Sequence, residues 1–296
     1  MRPSALDILQ IALEGTLTGL VYGLVALAFV VIFRASRIVN LAQGQLVLLG
    51  AYVMGSLLTS LPLPVAIALA LVASILIGAA IERLVFRPLI GQPVFSIVMA
   101  SIGLLILLQG VVQLVWGAQT RPFAQIFPEG AWKLDTLIVN KRLLIGAGIT
   151  LASVELLRVF FLKTRVGLRL AAVAEDHFVA LSLGVSVQAA TRIAWAAGAF
   201  ISTLAAMILL SGNVLGLQAG DIGLRALPVA LLGGLESLRG AAIAGVIVGI
   251  GEAFAARWLD PLTGGAMSQV FPFMLMIVVL LVRPQGLFGW KVIERL

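Results

Sequence analysis

With 296 residues, 61% of them hydrophobic and only 11% charged, the chain lies far from a water-soluble domain, in which about 25% of residues are charged. A mean hydropathy of +1.14 places it in a bilayer. The formal charge of +7 does not point to nucleic acid, because the basic residues are scattered through short loops, as membrane sidedness requires. The absence of Cys excludes disulfides and thiolate metal sites, and His177 is the only histidine.

At about 20 apolar residues per crossing, the chain has room for roughly eight to ten spanning helices and no large soluble domain. Residues 1–296 therefore read as a single all-α transmembrane domain. Asp7 and Glu14 interrupt the N-terminal apolar run before it matures, which fits a retained first span better than a cleaved leader. Apolar runs bounded by charge, Pro or Gly predict helices over Ile8–Phe33, Leu41–Leu61, Pro64–Val85, Val94–Trp116, Leu143–Leu162, Ile193–Leu210, Leu224–Leu235, Ala241–Trp258 and Met267–Val282. The seventh is short and ends in glycines, as a broken or partial helix does. Eight or nine spans result. Lys and Arg concentrate in the loops at 34–37, 83–87 and 163–192 and in the C-terminal tail. That bias sets these loops in the cytoplasm, with the N-terminus outside.

Between the first two runs lies Asn40-Leu-Ala-Gln-Gly-Gln45. Amides and backbone at membrane depth need protein partners or a wet cavity, so Asn40, Gln43 and Gln45 are candidates for a solute path. A polar turn at the membrane surface is the other reading. Small residues recur every fourth position at Gly15, Gly19 and Gly23, at Ala194, Gly198, Ser202 and Ala206, and at Ala241, Gly245, Gly249 and Ala253. Such stripes let helix backbones approach where lipid supplies no hydrophobic drive.

The longest polar interruption is Lys163–Arg192. Leu168 to Ala174 favour helix, Glu175 and Asp176 suit the cap of a second short helix from His177 to Leu183, and Gly184 ends it. Two surface helices of this kind suit either docking into a partner's groove or a plain amphipathic connector. Asp221, Arg225, Glu236 and Glu252 fall in or beside the seventh and eighth runs. A charge mid-span is costly, so each is expected to face protein or water. Asp221 and Arg225, four apart, are placed to pair on one helical face. Structural roles outweigh solute contact for these groups. No P-loop sequence and no convergent His, Cys or carboxylate cluster is present, which argues against an enzyme.

Five stretches carry a resemblance. They are Gly19-Leu-Val-Tyr-Gly-Leu-Val-Ala-Leu27, Asn40 through Tyr52, Thr164-Arg-Val-Gly-Leu-Arg169 through Gly184-Val185, Ala230-Leu-Leu-Gly-Gly-Leu-Glu-Ser-Leu-Arg-Gly240, and Arg283-Pro-Gln-Gly-Leu-Phe-Gly289. Collinear over essentially the whole chain, they resemble the branched-chain amino acid ABC transporter permeases, and more the LivH-type subunit than its LivM-type partner. The resemblance implies a multi-pass permease of the bacterial inner membrane. It would work with a second homologous permease subunit, two ATPase subunits and a periplasmic solute-binding protein. ATP and Mg would sit on the partner subunits, leaving this chain without a cofactor. It also implies that Gly167, Arg169, Glu175, Asp176 and Gly184 belong to the element coupling the chain to an ATPase subunit. The family often has His and Glu at the positions of Gln43 and Gln45, and Arg at those of Leu168 and Ala171. An ion-coupled secondary transporter is the alternative, and it predicts transport without any ATPase.

Overall fold

The structure, a computed structural model, describes residues 5–134, 137–175, 180, 182 and 184–289. Of the predicted helix His177–Leu183 only residues 180 and 182 are described, both helical, and the cap residue Asp176 lies outside the described residues. All nine apolar runs are helical. In chain order the helices are α1 (Ala5–Ser36), α2 (Gln43–Leu58), α3 (Leu63–Ile81), α4 (Val94–Trp116), α5 (Lys141–Lys163), α6 (Arg165–Glu175), α7 (Val187–Leu210), α8 (Ile222–Gly233), α9 (Leu238–Trp258), α10 (Asp260–Thr263) and α11 (Met267–Val282). Among the described residues, six helices are long and apolar enough to cross a membrane; α2 and α11 are shorter apolar helices. The chain is a multi-pass membrane protein. Contacts divide it into two compact units.

The first unit comprises Met1–Val30, Phe127–Val154 and Arg225–Leu296. Two of the predicted small-residue stripes meet in it, Gly15, Gly19 and Gly23 of α1 lying against Gly249, Gly245 and Ala241 of α9. A Cβ on Gly15 would lie 2.7 Å from the Gly249 carbonyl oxygen, so the helix backbones touch. Pro228 lies inside α8, which ends at Gly233. Gly234 and Gly286 both adopt positive φ, +87° and +78°. They let the tail fold back, so that the Leu287 amide donates to the Leu232 carbonyl at 2.8 Å. Two motifs far apart in sequence thus lock one helix end.

The same unit holds a feature the apolar runs did not predict. Strands Ala131–Leu134 and Leu137–Asn140 pair antiparallel, Ala131 facing Asn140. Gln10 secures the hairpin to α1, donating to the Ile138 carbonyl at 2.8 Å and accepting from its amide at 2.9 Å.

The second unit comprises Val31–Ile126 and Glu155–Leu224. Helices α2, α3 and α7 form its core. Gly78 of α3 sets its backbone against Trp195 and Ala199 of α7, and Gly50 of α2 against Thr203, whose Cβ is 2.9 Å from where a glycine Cβ would stand. These contacts fall one residue off the predicted Ala194–Ala206 stripe, of which Ser202 meets Gln43 of α2. After Ile81, α3 runs into a π-helical turn, Glu82–Phe86, and a 3-10 turn, Arg87–Leu89.

Candidate functional site

Helix α1 stops at Ser36, and Arg37 adopts φ +56°, a left-handed conformation uncommon for a residue with a side chain. The chain then runs irregularly to α2. Such backbone in a membrane protein must be satisfied internally, and here Asn40 does much of that work. Its Oδ1 accepts from the Ala42 amide at 3.1 Å, and its Nδ2 donates to Gln43 Oε1 at 3.0 Å. Gln43 in turn donates from Nε2 to the Ser202 hydroxyl on α7 at 2.5 Å. Ser202 passes the chain on to the Gly198 carbonyl at 2.8 Å. Asn40, Gln43 and Gln45 are all buried, Gln43 completely.

The structure bonds Asn40 to Gln43 and buries all three predicted amides in protein within the second unit. Gln45 faces Gly220, whose Cβ position lies 2.6 Å from Gln45 Nε2. Its Oε1 is buried without a hydrogen-bond partner. Gly44 and Gly223 meet backbone to backbone; a Cβ on Gly44 would lie 2.9 Å from the Gly223 Cα. Sequence reasoning missed this pair, because Gly223 stands outside any four-residue repeat and its partner is far away in the chain.

In the predicted coupling segment the helix begins earlier than expected. Thr164 Oγ1 accepts from the Gly167 amide at 2.9 Å and donates to the Phe160 carbonyl at 2.8 Å, so α6 starts at Arg165 rather than Leu168. Gly167 is buried, its Cβ position 2.6 Å from the Phe161 Cα, which allows the tight elbow between α5 and α6. Leu170 and Val173 turn inward, while Leu168 and Arg169 are exposed. This is the one-sided pattern of a surface helix. Arg169 and Gly184 line one cavity of about 250 Å³ together with Ser186 and Ile193. Gly184 has φ +74° and open space around it. Glu175 is the last residue of α6.

A link that sequence did not reveal joins the two elements. The Arg37 guanidinium donates to the Ala174 carbonyl, Nε at 3.0 Å and Nη2 at 2.5 Å. A cation here satisfies a terminal carbonyl of α6 and complements the helix dipole. Nearby, the Arg34 guanidinium lies 4.5 Å over the ring of Phe161.

Of the intramembrane charges, Arg225 approaches Glu252 of α9, Nη1 to Oε1 4.0 Å, within the first unit. The ion pair of Arg225 is thus with Glu252 and not the predicted one with Asp221. Asp221 ends a 3-10 turn, Leu217–Asp221. Among the described residues no group of three or more His, Asp or Glu side chains is placed to hold a metal ion.

A profile of the family described as branched-chain amino acid transport system / permease component matches residues 11–280. The high-affinity branched-chain amino acid transport system permease protein BraD of Pseudomonas aeruginosa is 27% identical, with 99% of each chain covered. The corresponding permease protein LivH of Escherichia coli is 28% identical over 100% of both chains. A probable branched-chain amino acid transport permease protein LivH of Methanocaldococcus jannaschii is 25% identical, covering 92% of this chain and 90% of its own.

Proposed function

The chain belongs to the branched-chain amino acid transport system permease family, and from that premise we propose that it is the membrane-spanning subunit of an ATP-driven importer for amino acids or similar small polar solutes. The observation that carries this reading is the family match over nearly the whole chain. In this proposal the chain sits in the inner membrane, crosses it eight or nine times, and pairs with a second, homologous permease. Two ATPase subunits bind ATP and Mg on the cytoplasmic side, and a periplasmic binding protein delivers the solute.

The solute path lies at the interface with the second permease, bordered by the Asn40–Gln45 element. Asn40 and Gln43 hold that element in place, and Gln45 keeps one amide oxygen unsatisfied. The segment containing Gly167, Arg169, Glu175, Asp176 and Gly184 contacts an ATPase subunit. The exposure of Leu168 and Arg169 on α6 supports a docking face. Movement of α6 reaches the start of the path through Arg37, which holds the Ala174 carbonyl. Nucleotide binding elsewhere then selects between two states of the permease pair.

Co-purification tests the assembly. The chain tagged at one end should carry the second permease and both ATPases through size exclusion in detergent, and replacing α6 with a Gly/Ser linker should release the ATPases. Retention of the ATPases by that variant would contradict the docking role.

A further inference from the structure

A cavity of about 190 Å³ lies at one end of α3, within the second unit. Glu82 opens the π-helical turn there, and its side chain, only 1% exposed, lines the cavity. Its Oε1 accepts from the Thr191 hydroxyl at 3.0 Å. Arg87 offsets the carboxylate charge from 3.7 Å, beyond hydrogen-bond range, and is not part of the cavity lining. Glu82 Oε2 is buried and has no hydrogen-bond partner among the described residues. The same holds for the indole Nε1 of Trp195, another lining residue, whose ring stacks on Phe86 with centroids 4.3 Å apart. One buried acceptor and one buried donor thus border the same space, each costly until answered.

The helical stretch Leu63–Leu89 is long and apolar enough to cross a membrane. Arg83 and Arg87 stand at its end, where basic side chains reach for the headgroup layer. Ile90 lines the cavity and is also exposed, as are Leu84 before it in sequence and Val94 and Phe95 after it. The cavity therefore reaches a surface that is apolar and, in a membrane protein, faces acyl chains.

We propose that this cavity holds the headgroup of a phospholipid bearing a primary ammonium, phosphatidylethanolamine being the simplest. The ammonium donates to Glu82 Oε2, a phosphate oxygen accepts from Trp195 Nε1, and the acyl chains lie along Ile90, Val94 and Phe95. Charge discriminates among the ligands. Arg87 already offsets Glu82, so a net-neutral zwitterion keeps the site balanced, whereas a free amine or an anionic lipid adds a net charge beside a buried pair. A choline headgroup carries the same charges but has no N–H to give Oε2, which stays unanswered. Ethanolammonium is smaller than the benzene that a cavity of about 150 Å³ holds, so the space suffices. The bound lipid would join the end of α3, through Glu82, to α7, through Trp195. It belongs to the lipid boundary of one unit and does not rest on the importer reading.

Native mass spectrometry of the delipidated full chain tests this, with titrations of phosphatidylethanolamine, phosphatidylcholine and phosphatidylglycerol of identical acyl chains. The first phosphatidylethanolamine should bind about tenfold more tightly than the first molecule of either other lipid, as one hydrogen bond to a charged group allows. Glu82→Gln should abolish that preference. Trp195→Phe, which keeps the aromatic stack and removes only the N–H, should weaken the first phosphatidylethanolamine several-fold, and it decides the matter if the Glu82 variant fails to fold. Free O-phosphoethanolamine in excess should leave the bound lipid in place. Displacement by it would assign the site to a soluble ligand and overturn the lipid proposal. So would equal first-site affinity for the three lipids, a preference that survives in the Glu82 variant, or unchanged binding in the Trp195 variant.

Discussion

Arg37 reaches across 137 residues of sequence to the Ala174 carbonyl, tying the end of the first helix to the last turn of α6. One side chain thereby touches both elements that the proposed function needs, the polar break before α2 and the docking segment. Replacing it with methionine keeps bulk and removes the donors. Arg37→Met should lower solute-dependent ATPase activity of the assembled complex about tenfold while the ATPases still co-purify. Loss of a hydrogen bond from a charged group, about 1.5–3 kcal/mol, is enough for such a change. Unchanged stimulation would remove Arg37 from the coupling route.

Gln43 is expected to be a stability residue as much as a path residue. It is wholly buried and bonded to both Asn40 and Ser202. Gln43→Leu strands the Asn40 amide and should cost about 1–3 kcal/mol. Thermal unfolding in detergent, monitored by tryptophan fluorescence, reads this directly. An unchanged midpoint would mean that the amide chain contributes nothing to the packing of α2 on α7.

Gly184 offers a cleaner test of the docking segment, because its surroundings are open and only its backbone is special. A β-branched residue in the left-handed region costs roughly 1–2 kcal/mol, and Asn tolerates it better. Gly184→Val should therefore impair uptake and leave membrane insertion intact, and Gly184→Asn should retain most uptake. Equal uptake by both variants would count against a role for this turn.

Arg225 and Glu252 are expected to couple weakly. Their closest atoms are 4.0 Å apart and the Arg225 side chain is 42% exposed. A double-mutant cycle with Arg225→Met and Glu252→Gln should give a coupling of about 1 kcal/mol or less. A much larger value would show that the pair is shielded from water in the assembled complex.

Asp260 predicts a pH effect of defined sign. The hydroxyl and then the backbone amide of Ser268 donate to its carboxylate and hold its pKa below the ordinary value. A lowered folded-state pKa contributes stability above the unfolded value, about 3.9, and that contribution is lost as pH falls through the folded value. Wild type should lose its stability advantage over Asp260→Asn below about pH 4. Unfolding midpoints for both chains across that range check it, and a constant difference would contradict it.

Much of this architecture was legible because hydrocarbon length and punctuation act locally. Val94–Trp116 is predicted to the residue since Pro93 and Gly117 bound it, as is Met267–Val282 before Arg283. Helix α7 begins at Val187, six residues before the apolar run, because Gln188 and Arg192 extend it as an amphipathic first turn that hydropathy discards. The Gly15–Gly23 and Gly245–Gly249 stripes announced close helix contact, and the structure shows that they contact each other. Partners distant in sequence were not legible. Glu82 beside Arg83 reads as a charged helix end at a surface, whereas its partner Thr191 lies 109 residues away and the carboxylate is buried. The pairing of Arg225 with Glu252 was hidden for the same reason.

The most direct measurement is uptake of a radiolabelled branched-chain amino acid into proteoliposomes holding the chain with its second permease, ATPases and binding protein. With ATP on the nucleotide side, uptake should be robust, and it should fall to background when both ATPase subunits carry a substitution that abolishes hydrolysis. Accumulation that persists with the inactive ATPases, driven by an ion gradient alone, would contradict the account.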